Sequence, residues 1–499
     1  MNKFYIYIMV CVALVFSACS DSDDDATADG GQMPAYTESG LLVEVTDTIA
    51  DAPDVFINRL SNEPFFQYMK TSLSSLSGSF PLVESLFNLR RSIDVPALDA
   101  LFAKEVGVDV MYGRRWQIES YAFNYKTKNV QGEDVVLSAR VTFPNNTVQS
   151  VEHPVQTLSL YAHQFLPDPA WAPSLSMMLM PLRALYNSAV IEPDFQGNGA
   201  TFGKMVYCAL APEVLARQEA DCMLAALDIM HRRGVYLAPD GYTTSWGCSL
   251  ASAVPVAFAK WYETQAQESF RQQVRLSSSF TGEGVVDYAA YFEWLCKEPD
   301  FDARVLVQFF PEIASFSKEQ LGGYDAKEFF ADWVNELQVT VGGKTMSYFT
   351  AATMGLAVSQ NFEGMPDIYR LKVAMAPDML GEDGKIDLNA PKTKALLNAM
   401  RMFGDVYNWT PVKPLYLASC KEDEVQPYDL VKDSYKVLSA NGTNPNMHWV
   451  DSHILTEQQS IKDAGMSNHL QASLLMMIYM ASMKEPADLA NFYLLEKKY

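Results

Sequence analysis

The sequence predicts an α/β protein: a doubly wound, mostly parallel sheet with a helical cap inserted into it. Three observations lead there. From Val155 onward, β-rich runs alternate with helical ones, the rhythm of a parallel sheet covered on both faces. The alternation stops between about Val286 and Asn408, where the segments read as helix rich in aromatics and methionine. It then resumes with a strand, a helix, a strand and a final helix, so two separated stretches complete one sheet.

The chain has 499 residues, 49% hydrophobic and 12% aromatic, enough for a large core. Lysine plus arginine number 38 against 60 aspartate plus glutamate, a formal net charge of -22. That balance disfavours nucleic acid, whose backbone is bound by basic side chains. Neither G-x-x-x-x-G-K-[ST] nor G-x-G-x-x-G occurs, and no H-x-x-x-H or clustered His and Asp spacing is present. No nucleotide, metal or other cofactor is therefore expected.

In chain order, residues 1–18 have the shape of a secretory signal: Lys3, an apolar run from Phe4 to Phe16, then Ser17 and Ala18. An ordinary signal of this shape is cleaved after Ala18. Residues 19–40, with Asp21, Asp23, Asp24 and Asp25 at their head, read as a solvated acidic tether. Residues 41–115 read as a mostly helical N-terminal segment. The first part of the core, 116–285, opens with "WQIESYAFNYKT" and "EDVVLSARVTFP", two alternating runs that predict a hairpin. There follow a buried strand "VQTLSLYAHQF", a helix "LMPLRALYNS", a strand "SAVIEPDFQGNG" ending in a glycine-rich turn, and an amphipathic helix with Pro212 near its start and Gly234 at its end. Residues 286–408 form the predicted cap and 409–499 the second part of the core. Of seven cysteines, Cys11 lies in the signal, and Cys208, Cys222, Cys248, Cys296 and Cys420 are too widely spaced for a C-x-x-C site.

The chemistry centres on "DGYTTSWGCSLASAVPVAFAKWYE". A short β-rich run passes through Gly247-Cys248-Ser249-Leu250-Ala251 into a run of small and apolar residues at helical spacing. Strand, sharp turn and helix is the setting that exposes a serine hydroxyl as a nucleophile above the carboxyl ends of a parallel sheet. Taken alone the motif is equally a small residue allowing close helix-to-strand packing. A nucleophilic serine needs a base, and the base an orienting acid. Asp423 stands just past the strand "KPLYLAS" and ahead of a turn at Pro427, although Glu422 and Glu424 beside it also make an ordinary acidic turn. Among six histidines, His453 and His469 follow the last strand, and His469 directly precedes the apolar C-terminal helix, which would hold it the more rigidly.

From about Trp116 onward the chain resembles the α/β-hydrolases, in particular the bacterial lipase and esterase group related to secretory lipases. The resemblance rests on "ESYAFNYKT", "VLSARVTFP", "LYAHQF", "VIEPDFQGNG", "DGYTTSWGCSLAS" and "KEDEVQPY". It implies a triad of Ser249, Asp423 and His469 and hydrolysis of carboxylic esters through an acyl-enzyme. It also implies an oxyanion hole from the N–H of Leu250 and one N–H of Gln164 or Phe165, with Asp194 as a structural turn. A peptidase or amidase of the same fold, or a hydrolase fold that only binds, are the alternative readings. The N-terminus similarly resembles a bacterial lipoprotein, implying export, a lipid anchor at Cys19 in the outer membrane, and display on the cell surface. The chain departs from the family pattern at Gln164 and Ala251, each in place of a glycine, and at Pro255. A proline inside a helix typically costs about 3 kcal/mol unless it lies in the first turn.

Overall fold

The computed structural model of the chain describes residues 36–67, 116–146, 153–163, 169–298, 310–341, 344–354, 371–404, 406, 408–452, 454 and 467–482. The signal at 1–18 and Cys19 lie outside them.

The described strands of the main sheet are β1 (Leu42–Asp51), β2 (Trp116–Lys128), β3 (Asp134–Asn146), β4 (His153–Ala162), β5 (Ser188–Pro193), β6 (Val235–Cys248) and β7 (Leu276–Gly282). A short hairpin, β8 (Gln338–Val341) and β9 (Lys344–Ser347), stands apart, and β10 (Leu415–Cys420) and β11 (Met447–Ser452) complete the sheet. The order is β1-β2-β3-β5-β4-β6-β7-β10-β11. Pairings from β5 to β11 are parallel, while β1, β2 and β3 join antiparallel at one side. The predicted fold class holds: the fold is that of the α/β-hydrolases, with helices on both faces and a cap. β5 lies on one side of β4 and β6 on the other, so the chain reverses direction across the sheet there, and ligands of open α/β sheets bind at such a switch point.

The helices are α1 (Pro53–Leu60), α2 (Pro212–Arg232), α3 (Ala253–Thr264), α4 (Glu268–Val274), α5 (Tyr288–Lys297), α6 (Asp332–Glu336), α7 (Tyr348–Thr353), α8 (Leu371–Ala374), α9 (Pro391–Gly404), α10 (Tyr428–Leu438) and α11 (Asn468–Ser482). On one face Met223, Ala226 and Met230 of α2 and Phe258 of α3 pack on Leu158, Leu160 and Ile191. On the other, Met476, Met477 and Met480 of α11 pack on Trp246 and Phe280. A third core joins cap to sheet: Leu250, Ala251 and Val254, around the serine, pack with Phe292, Ile313, Phe329 and Met400.

Three expectations need correction. Residues 41–115 are not helical from their start, since 42–51 form β1, antiparallel to β2. Val43, Val45, Thr46, Thr48 and Ile49 are β-branched, and they favour the pleated edge over a helix. The tether assigned to 19–40 ends before Tyr36. The Tyr36 ring stacks on His231 at 3.8 Å, its hydroxyl donates to Asp228 at 2.7 Å, and the Ser39 hydroxyl donates to the same carboxylate at 2.6 Å. The cap, 286–408, is not helical throughout. It holds the β8–β9 hairpin, and "DAKEFFADWVNEL" divides into a single 3-10 turn, Ala326–Phe329, and α6, because Phe330 between them bridges to Met375.

Candidate active site

β6 ends at Cys248 and the chain turns sharply at Ser249, whose φ of 55° lies in the left-handed region. Close packing forces the turn. A Cβ at Gly247 would fall 2.7 Å from both the Ala251 carbonyl oxygen and Pro255 Cγ, so only glycine lets the helix approach. Inside the elbow the single proton of the Ser252 hydroxyl is shared between two carbonyl acceptors, Ser249 at 2.6 Å and Gly282 at 2.9 Å. α3 begins at Ala253, which puts Pro255 in its first turn. The N–H groups there have no partner within the helix, so the proline removes no bond. The expected cost at Pro255 is absent, and Ala251 is buried without displacing the turn.

The three residues predicted for the triad come together. Ser249 Oγ lies 2.8 Å from His469 Nε2, and His469 Nδ1 lies 2.7 Å from Asp423 Oδ2. With the proton on Nδ1, the imidazole donates to Asp423 and accepts from Ser249. The Asp423 side chain is fully buried, and its other oxygen accepts from the N–H groups of Val425 at 2.7 Å and Gln426 at 3.0 Å. His469 sits in the first turn of α11, its own N–H donating to Glu424 at 3.2 Å. The far end of that helix is held by Arg183, which donates to the Met480 carbonyl at 2.6 Å. Burial disfavours the imidazolium, but the Asp423 carboxylate, with Glu283 and Glu424 behind it, outweighs that, and the net effect raises the His469 pKa above the ordinary imidazole value. His453, the other candidate base, lies outside the described residues.

Gln164 and Phe165 also lie outside them. The strand leading to them is described: β4 runs parallel to β6 with Tyr161 opposite Trp246 and Ala162 opposite Gly247. The loop that begins at His163 thus starts beside the elbow. Asp194 is buried as a structural post, accepting from the Ser138 hydroxyl and from the Ser174 N–H at 2.9 Å, while His163 Nε2 donates to its carbonyl at 3.0 Å.

Sequence reasoning missed three residues at this site. Tyr288 and Tyr291, one turn apart on α5, reach from the cap to the two loops beneath it. The Tyr288 hydroxyl donates to the Leu250 carbonyl at 2.5 Å and that of Tyr291 to the Val425 carbonyl. Glu283, the third, is fully buried directly after β7. The signal that found Asp423, an acid just past the carboxyl end of a strand, also marks Glu283 in "SFTGEG".

No protein-family model matches the sequence, and no curated protein sequence matches it. Solved structures do match. A protein of Legionella pneumophila provisionally named a hydrolase aligns with TM-score 0.52 and 15% identity, over 78% of this chain and 96% of that one. The rice cell wall degrading esterase LipA of Xanthomonas oryzae, in a ligand-bound form, aligns with TM-score 0.54 and 16% identity, over 79% of this chain and 95% of that one. At this identity the likeness concerns the fold.

Proposed function

We propose that the protein is a serine hydrolase that cleaves carboxylic esters through an acyl-enzyme, and that it is exported and tethered to the outer membrane by lipid on Cys19. The observation that carries the catalytic reading is the relay from Ser249 through His469 to Asp423, with both links at hydrogen-bond distance and the serine on a left-handed elbow. His469 Nε2 takes the Ser249 proton as Oγ attacks the ester carbonyl, and Asp423 stabilises the resulting imidazolium. The tetrahedral oxyanion is held by the N–H of Leu250 and by one from Gln164 or Phe165. Collapse expels the alcohol, which takes the proton from His469. A water activated by the same imidazole then releases the acid and restores the serine.

The hydrogen-bonded relay supports a working hydrolase over a fold that only binds. The cap's apolar core over the elbow supports an acyl group as the part of the substrate it accepts. Parallel assays on p-nitrophenyl esters and matched anilides test the ester reading. Ester turnover that Ser249→Ala abolishes is expected, and faster anilide cleavage would make the protein an amidase instead.

A further inference from the structure

The turn after β7 places Glu283 between two glycines with its backbone in the left-handed region, at φ 50°. The turn is pressed onto the nucleophile elbow: a Cβ at Gly284 would lie 2.0 Å from the Ser249 carbonyl oxygen and 1.9 Å from Ser252 Oγ. The Glu283 side chain is buried and gathers donors from three neighbouring elements. These are the Ser452 hydroxyl at the end of β11, the Cys420 N–H at the end of β10 at 3.2 Å, and Gln426 Nε2 from the Asp423 loop at 3.3 Å. Gln426 is also one of the two residues whose N–H groups hold Asp423. One carboxyl thus ties the loop bearing the acid to the turn that supports the serine.

We propose that Glu283 is a second acid of this site, a positioning residue that holds the Asp423 loop against the elbow and, through its charge, sets the proton affinity of His469. This rests on the hydrolase reading above. The titratable groups facing Glu283 are Asp423 from the loop after β10, His469 from α11, and the thiols of Cys248 at the end of β6 and Cys420 at the end of β10. His469 faces Glu424 as well. Burial, and after it the negative charge of Asp423, push the Glu283 carboxyl up to about 7. Below that pH it is neutral, and above it the carboxylate adds to the pull of Asp423 on the imidazolium. Glu283 and His469 therefore titrate as a coupled pair.

The test follows the His469 imidazole resonances against pH in the intact chain, with kcat/KM for a p-nitrophenyl ester measured alongside. In Glu283→Gln the His469 midpoint is expected to fall by about 0.5 unit or more, the acid limb of kcat/KM moving with it. Glu283→Asp, which keeps the charge, is expected to return the midpoint toward that of the unchanged protein. A cooperatively melting Glu283→Gln variant with an unmoved midpoint overturns the proposal. If that variant does not fold, the unchanged protein decides: a two-step His469 titration supports the coupling and a single-step curve overturns it. The resonance needs no turnover, so absence of esterase activity would count against the hydrolase reading and leave this readout intact.

Discussion

Ser249 occupies a backbone conformation that costs a non-glycine residue about 1–3 kcal/mol, and the contacts that hold it there are on both sides: Gly247 beneath α3 and Gly284 against its carbonyl. Gly247→Ala is therefore expected to destabilise the fold by about 1–3 kcal/mol in denaturant unfolding, because the atoms its methyl group meets are backbone and ring. The charge state of His469 belongs to the same scale. Its pKa is raised, and a base must be neutral to accept a proton, so kcat/KM should rise with pH through a midpoint above 6.5. Asp423→Asn should lower kcat about 10⁴-fold by favouring the wrong imidazole tautomer, with KM little changed. Ser249, Asp423 and His469 were legible in the sequence because each follows a strand or begins a helix that the hydrophobic pattern reveals. Glu283 carries the same signal, but only the sheet order, which sets β7 between β6 and β10, shows that it faces the Asp423 loop.

At the scale of elements, the parallel core was legible from its alternation, whereas its margins were not. β1 was hidden because both of its faces are largely exposed, Val43 and Val45 included, so it lacks the buried stripe by which a strand is recognised. The β8–β9 hairpin was hidden because its two strands are only four residues each. Pro255 shows how a boundary decides an energy: two residues further into α3 it would break a helical bond, and where it stands it breaks none. Pro255→Ala should accordingly change stability by less than about 1 kcal/mol in denaturant unfolding. α5 carries the opposite expectation. Tyr288→Phe leaves the buried Leu250 carbonyl without its donor, at a cost of about 1–3 kcal/mol. A fall in kcat that accompanies the fall in melting temperature would show that the cap helps to hold the elbow in shape.

Across the whole molecule, the two ends of β6 carry different features. At its carboxyl end stand Ser249 and the cap; at its start, where α2 ends, Tyr36 and Ser39 are docked on Asp228. Tyr36 and Ser39 thus lie at the opposite end of β6 from Ser249. Asp228→Ala should free the segment preceding Leu41 for limited proteolysis and leave ester turnover unchanged. Catalysis requires above all that Ser249 be chemically activated. Reaction with a fluorophosphonate, read by intact mass and peptide mapping, measures this directly. One adduct per chain is expected, located on Ser249, absent in Ser249→Ala and greatly slowed in His469→Ala. An unlabelled protein, or equal labelling of the Ser249→Ala variant, would rule out Ser249 as the nucleophile.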